Sequence, residues 1–224
     1  MKEGQIDAIA IDGPASSGKS TLAREVARRL GFVFLDTGSL YRAVALALLS
    51  SGVSRFSEED PAVVRVLSAL DIAVTPGSSG ARISLGGLDV TDHLRSEEVG
   101  ALASRISAWP TVRKALFDLQ RRLALEGRIV MDGRDIGTVI LPEARLKIFL
   151  VADPEVRARR RLKDLESNGD GRPLEIVLAD ILERDRRDRE RPVSPLIQAP
   201  DALLLDTTRL SIDEAVTWII DHYR

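Results

Sequence analysis

The chain has 224 residues, 44% hydrophobic and 29% charged, the composition of a globular protein long enough for a sizeable core, either as one domain with an insertion or as two small domains. Its formal net charge of −2 gives no overall attraction to nucleic acid or to an anionic membrane, so an anion site has to be a local cluster of cations. There is no cysteine, and the two histidines, His93 and His222, lie far apart, which excludes disulfides and thiolate metal sites and argues against a histidine metal site.

In chain order, Met1-Lys2-Glu3-Gly4-Gln5 lacks the charged and apolar regions of a signal peptide, and no apolar run approaches the ~18 residues of a membrane span. A soluble cytoplasmic protein is expected. Ile9 to Asp12 reads as a buried strand. It runs into Gly13-Pro14-Ala15-Ser16-Ser17-Gly18-Lys19-Ser20-Thr21, where two glycines with four residues between them are followed by Lys-Ser at the start of a helix. That is the phosphate-binding loop pattern in its required context. Glycine lets backbone N–H groups turn around a phosphate, and the helix start adds unpaired amides. Lys19 then reaches the β- and γ-phosphates of a nucleoside triphosphate, and the Ser20 hydroxyl sits on Mg²⁺.

Leu22, Val26 and Leu30 recur every four residues, marking an amphipathic helix that ends at Gly31. Phe32 to Leu35 form a short strand stopping at Asp36-Thr37-Gly38-Ser39, and a second apolar helix follows. This alternation predicts a parallel sheet covered on both faces. Asp60-Pro61 opens a helix to about Leu70. Short alternating runs at 72–74, 83–85 and 88–90, joined by turns at 77–80 and 86–87, then predict a small antiparallel sheet. Two helical patterns follow it, the second starting at Pro110, with Trp109 packing at the corner between them. Residues 71–126 are therefore expected to be an insertion into a core formed by 1–70 and 127–224.

The core resumes with a strand at 128–131, ending in Asp132-Gly133-Arg134-Asp135, and another at 147–151. Pro154 starts a helix rich in arginine, Ser167 to Gly171 is a loop, and a further helix carries Glu183-Arg184-Asp185-Arg186-Arg187-Asp188-Arg189-Glu190-Arg191. The last strand is expected at 202–205, and Ser211 with Glu214 forms a capping box for a terminal helix.

Residues just past the strand C-termini of a parallel sheet share one crevice with the P-loop. Arg42 and Arg134 thus bring two planar cations toward a phosphate. Arg186, Arg187 and Arg189 read as an exposed face of ion pairs, whereas Arg184, Asp188 and Arg191 share the face that points into the crevice. Arginines on either side of the 167–171 loop form a lid, about 157–175, that closes over the phosphates and excludes water.

The ordered motifs Ile11-Asp12-Gly13-Pro14, the P-loop, Leu35-Asp36-Thr37-Gly38-Ser39-Leu40-Tyr41-Arg42, Asp132-Gly133-Arg134-Asp135-Ile136-Gly137-Thr138 and Glu183 to Arg189 resemble those of bacterial cytidylate kinases, over nearly the whole chain. The resemblance implies an α/β P-loop kinase fold and transfer of the ATP γ-phosphoryl to CMP or dCMP, with Mg²⁺. It places Arg42, Arg134 and Arg191 on the acceptor phosphate, with Thr37 beside them. Ser104, Arg113 and Asp135 fall on the cytosine edge, with Asp132 in the same substrate-binding set. Tyr41, Arg184 and Asp188 fall around the ribose, Arg184 also serving the transferring phosphate together with Lys19 and Arg134. Arg157, Arg160 and Arg161 fall on the donor phosphates. Asp36 and Asp132 are equal candidates for contacting Mg²⁺ through water. The resemblance also favours a monomer. The competing expectations are a kinase for another small acceptor such as UMP and, from a different class, a P-loop ATPase switch or nucleic-acid-binding ATPase. The acidic balance and the lack of aromatics among the arginines count against the last.

Overall fold

The computed structural model describes residues 4–53, 56–75, 77, 80–167 and 169–224. Met1 to Glu3, Ser78 and Ser79 of the expected turn, and Asn168 of the expected loop lie outside the described residues.

Strand β1 (Ile6–Asp12) sits at the centre of a five-stranded sheet ordered β2-β6-β1-β7-β8, with β2 at Val33–Asp36, β6 at Ile129–Gly133, β7 at Ala144–Val151 and β8 at Leu203–Asp206. Every pairing in it is parallel. Ile9 and Ile11 face α1 (Lys19–Leu30) and α8 (Ile212–Tyr223), packing with Leu22, Val26, Val216 and Ile219. Ala8 and Ala10 face the opposite layer, with Val44, Leu116 and Met131. A strand buried on both faces has no polar side to show, which is why β1 reads as a continuous apolar run.

Local chemistry sets the helix ends. Gly31 ends α1 at φ 68° and its N–H bonds the Ala27 carbonyl. Asp36 caps α2 (Thr37–Ser50) through the Gly38 N–H, and Asp60 caps α3 (Pro61–Ser68) through the Ala62 N–H. The expected capping box of Ser211 and Glu214 holds the start of α8.

Between α3 and β6 stand the antiparallel strands β3 (Ile72–Thr75), β4 (Arg82–Leu85) and β5 (Leu88–Asp89), a 3-10 turn at Thr91–Arg95, and helices α4 (Glu97–Ile106) and α5 (Pro110–Glu126). Their apolar side chains share one core with the parallel sheet. Ile83, Leu102, Ile106 and Leu116 lie in the same cluster as Ala10, Val44 and Met131, with Trp109 packed at the α4–α5 corner. The Ala81 N–H fastens this segment to β2 through the Phe34 carbonyl at 3.2 Å. Helices α6 (Pro154–Glu166) and α7 (Leu174–Glu190) form an arm with its own small cluster of Ala158, Leu165, Val177 and Ile181. No helix among the described residues is long and apolar enough to cross a membrane.

Two features escape periodicity. Strand β5 is two residues long, because Asp89 turns back to accept the Thr91 N–H at 3.0 Å. After β6 the chain makes one π-helical turn, Ile136–Ile140. The Asp12 carboxylate holds that turn, accepting the N–H groups of Ile136 at 2.8 Å and Gly137 at 2.7 Å. Burial pushes the Asp12 carboxyl up to about 6.

Candidate active site

The loop after β1 has its shape enforced by close approach. Gly13 has φ 155°, and a Cβ there would stand 2.2 Å from the Leu150 carbonyl oxygen of β7, a distance no side chain tolerates. Lys19, 6% exposed, donates to the Pro14 carbonyl at 2.6 Å and to Ser17 Oγ at 3.4 Å. Its ammonium is thereby folded over the loop. Burial, then Arg134 and Arg184 nearby, pull its pKa down to about 7, so the lysine stands where an added negative charge is strongly favoured.

The sheet register brings the strand-end carboxylates to one edge. Asp36 pairs with Asp132 across β2 and β6, and Asp12 with Gly133 across β1 and β6. Asp36 caps α2 through Oδ1. Asp132 instead accepts the Ser20 hydroxyl at 2.6 Å through Oδ2, while its buried Oδ1 has no hydrogen-bond partner. Burial and the nearby Asp36 push the Asp132 carboxyl up. A hydroxyl and an unspent carboxylate oxygen side by side are hard donors of the kind Mg²⁺ takes. Among the described residues no cluster of three His, Cys, Asp or Glu could hold a metal unaided. A cation here must therefore draw further ligands from nucleotide phosphates and water. Of the two candidates that sequence left equal, Asp132 is the one bonded to Ser20, while Asp36 caps α2 through Oδ1.

Two of the cavities beside the P-loop share Ser16, Lys19 and Ser20 in their walls. One, of about 410 Å³, is lined by Ser16 to Leu22, Arg160, Lys163, Thr207, Leu210, Ser211 and Ile212. Arg160 is held in its wall, donating to the Thr207 carbonyl at 2.8 Å and the Ser17 carbonyl at 3.2 Å. The other, of about 210 Å³, lies between the strand ends and α4 and is lined by Lys19, Arg42, Arg134, Arg184 and Arg191 together with Asp36, Asp132, Asp135 and Asp188. Thr37, Tyr41, Ser104 and the P-loop residues Ala15, Ser16 and Ser20 complete its walls.

The charged groups of the second cavity are held by one another, by backbone carbonyls and, for Asp135, by Arg113, which is buried and does not itself line the cavity. Arg134 donates through Nε to Asp188 at 2.7 Å, and Arg42 donates to the Leu94 carbonyl at 3.0 Å. Arg191 donates through Nε to the Ser194 carbonyl at 2.6 Å and stands 3.7 Å from Asp135. Asp135 is ion-paired with Arg113, which also bonds the Ser107 carbonyl at 3.0 Å and lies 5.8 Å from the Tyr41 ring centroid. Burial pushes the Tyr41 hydroxyl up to about 12, keeping it neutral. Thr37 Oγ donates to the Asp132 carbonyl at 2.8 Å. Arg184 Nε and Arg191 Nη2 are buried donors without a hydrogen-bond partner. Burial, then Arg134, lower the pKa of Arg184 to about 10. Such a site is built to receive an anion with several oxygens.

The model of the cytidylate kinase family matches residues 9–224. The chain belongs to the cytidylate kinase family. The cytidylate kinase of Carboxydothermus hydrogenoformans is 46% identical over 213 residues, covering 95% of each chain. That of Exiguobacterium sibiricum is 49% identical over 208 residues, covering 93% of this chain and 92% of its own. An uncharacterized protein of Eubacterium ventriosum with a solved structure has the same fold, at TM-score 0.55 and 15% identity over 98% of both chains. Membership of a kinase family makes the protein an ATP-dependent phosphotransferase, as the motifs implied.

Three placements in this cytidylate kinase family member depart from expectation. Arg157, grouped by its motif with the donor-phosphate arginines, is 2% exposed and lines neither cavity beside the P-loop. Its guanidinium is spent on the carbonyls of Ala15 and Ala152 and on Asp185. Arg161 lies apart from Arg160, in a cavity of about 130 Å³ over Ala15 and Ser16 that it shares with Arg184 and Arg172. Asp185, singled out by no motif reasoning, is the buried partner beneath the P-loop. The signal was there: Val177, Ile181 and Asp185 continue one apolar stripe at helical spacing, and a carboxylate on such a stripe requires a partner. As expected, Arg186 stays on the surface with Glu183 and Glu190 at 2.9 and 2.6 Å.

Proposed function

We propose that the protein transfers the γ-phosphoryl group of ATP to CMP or dCMP, giving CDP or dCDP, with Mg²⁺. The observation that carries this reading is that both cavities have Ser16, Lys19 and Ser20 in their walls. A donor phosphate chain laid on the P-loop from one cavity ends where an acceptor phosphate in the other begins. This is the juxtaposition that in-line transfer requires. A switch or motor needs only the first cavity, and a second one lined by arginines and carboxylates weighs for a small acceptor.

The backbone of Gly13 to Thr21 cradles the donor phosphates, and Arg160 flanks the donor nucleoside. Arg161, carried by the lid at 157–175, and Arg184, farther along α7, come down on the phosphates from two sides. Arg42, Arg134 and Arg191 hold the acceptor phosphate, Arg134 and Arg184 with Lys19 stabilising charge as it spreads over the group in transfer. Ser20 and Asp132 would hold Mg²⁺, which would supply positive charge against the charge developing on the phosphates. The insertion at 71–126 reads the base. Arg113 donates to the cytosine O2 and N3 acceptors, while Asp135 and Ser104 accept from the N4 amino group. Uracil presents an oxygen there, so a buried carboxylate disfavours UMP. Tyr41 and Asp188 lie along the ribose. Every group in this scheme comes from one chain, so a monomer suffices, working in the cytoplasm on its nucleotide pools.

A coupled assay with ATP and each of CMP, dCMP, UMP and AMP tests the reading. Turnover with CMP and dCMP far above UMP and AMP is expected. Nucleotide hydrolysis with no acceptor dependence overturns it.

A further inference from the structure

Helices α6 and α7 reach the P-loop from outside the sheet, and both grip the same residue. Asp185 Oδ1 of α7 accepts the Ala15 N–H at 3.2 Å. Arg157 of α6 donates through Nη1 to the Ala15 carbonyl at 2.9 Å and through Nε to the Ala152 carbonyl, just past β7, at 3.1 Å. The two side chains meet as an ion pair at 2.7 Å with 3% and 1% of their surface exposed. Next in the chain stands Ser16, whose φ of 57° lies in the left-handed region, where a serine stays only if its surroundings hold it.

A buried ion pair adds little net stability, because desolvating both charges offsets their attraction, and an apolar pair of similar volume joins two helices as well or better. What an apolar pair cannot do is fix the peptide planes on both sides of one loop residue. Rotation of the Ala15–Ser16 peptide would re-aim the Ser16 N–H, one of the amides the P-loop turns toward phosphate. The same two helices carry Arg161 and Arg184, which line one cavity over Ala15 and Ser16.

We propose that Arg157 and Asp185 are positioning residues of the donor site. Asp185 holds the Pro14–Ala15 peptide and Arg157 the Ala15–Ser16 peptide in the orientation that receives phosphate, and together they couple that orientation to the placement of Arg161 and Arg184, so that lid and P-loop move as one unit. The proposal rests on the P-loop being the donor-phosphate site.

The test compares the R157M/D185L double variant with wild type in thermal unfolding, in calorimetric binding of Mg·ATP, and in kcat and the two KM values. The expected result is an unfolding midpoint equal to or above wild type and an unchanged KM for CMP. Mg·ATP affinity or kcat should fall about 10- to 100-fold, the cost of a small misplacement near the reacting groups. A folded double variant with wild-type Mg·ATP binding and kcat overturns the proposal. If the double variant does not fold, Asp185→Asn, which keeps the shape and an acceptor for the Ala15 N–H, is read for the same split. Equal losses toward ATP and CMP then overturn it. Absence of transfer to CMP by the wild-type protein would refute the kinase reading instead, and calorimetry with Mg·ATP alone separates the two failures.

Discussion

Replacing Arg113 by methionine separates acceptor recognition from donor recognition more cleanly than any change in the P-loop. The Arg113 and Asp135 side chains are 9% and 7% exposed, and the guanidinium reaches no P-loop atom. Methionine fills much of the same volume but leaves Asp135 with Arg191, at 3.7 Å, as its remaining cation. Breaking a buried pair costs about 3–5 kcal/mol. The nearby Arg191 puts this case at the lower end, about 3 kcal/mol, measurable as a lowered urea midpoint with an unchanged slope. The cytosine edge loses a charged hydrogen bond, worth about 1.5–3 kcal/mol, which is about 10- to 100-fold in affinity. Steady-state kinetics with each substrate varied against saturating partner should therefore show KM for CMP raised by that factor and KM for ATP unmoved. Equal increases in both KM values, or an unchanged KM for CMP in a folded variant, would refute the assignment of Arg113 to the base.

Gly100→Ala on α4 should stabilise the helix by up to about 1 kcal/mol yet weaken the acceptor, because its Cβ would stand 2.8 Å from Arg42 Nη1. A raised Tm with a raised KM for CMP is expected, and an unmoved KM would remove Arg42 from the acceptor phosphate. Lys19→Ala should lower kcat about 100- to 1000-fold, as loss of one transition-state donor does, with Tm unchanged or higher since a desolvated cation is removed. Wild-type turnover would sink the P-loop assignment. Asp12→Asn should make the gap in stability from wild type depend on pH. Burial raises the folded carboxyl from 3.8 to about 6, so between pH 4 and 6 the folded chain keeps a proton that the unfolded chain has released. The Asp12 contribution is therefore present below the lower value and lost as pH rises through the upper one, by about 3 kcal/mol. The replacing carboxamide does not titrate, so the variant should trail wild type most at pH 4 and close the gap by pH 7. Urea unfolding at both pH values decides, and a constant gap refutes it.

The parallel core was legible because three of its strands end in polar signatures at one edge, and the P-loop, Asp36-Thr37-Gly38 and Asp132-Gly133-Arg134-Asp135 do meet there. What escaped reading depends on pairing that no periodicity encodes. Arg157 and Arg160 sit three residues apart on one face of α6 and both bond P-loop carbonyls, yet one is buried against Ala15 and Asp185 while the other reaches Ser17 and lines the donor-side cavity. Asp12 ends β1 beside the P-loop, but its two backbone partners lie 124 and 125 residues away in the π-helical turn. Asp36 and Asp132 stayed equal in sequence, and only the fold bonds one to a helix start and the other to Ser20.

The carboxylates among the site arginines follow from the cost of ordering. A free arginine loses up to about 2 kcal/mol of rotamer entropy when it is immobilised, and a phosphate that had to gather three of them would lose much of its binding energy in doing so. Here that loss is met at folding. Asp188 fixes Arg134, the Leu94 carbonyl fixes Arg42, and the Ser194 carbonyl with Asp135 fixes Arg191. Full neutralisation would defeat the purpose, since it would leave no donor for the ligand. The buried Nε of Arg184 and Nη2 of Arg191, without hydrogen-bond partners, show that the pairing stops short of it. The carboxylates therefore act on the arginines rather than against the phosphate. Replacing Asp188 should then weaken acceptor binding even though it removes a negative charge from an anion site, the opposite of what net charge alone predicts.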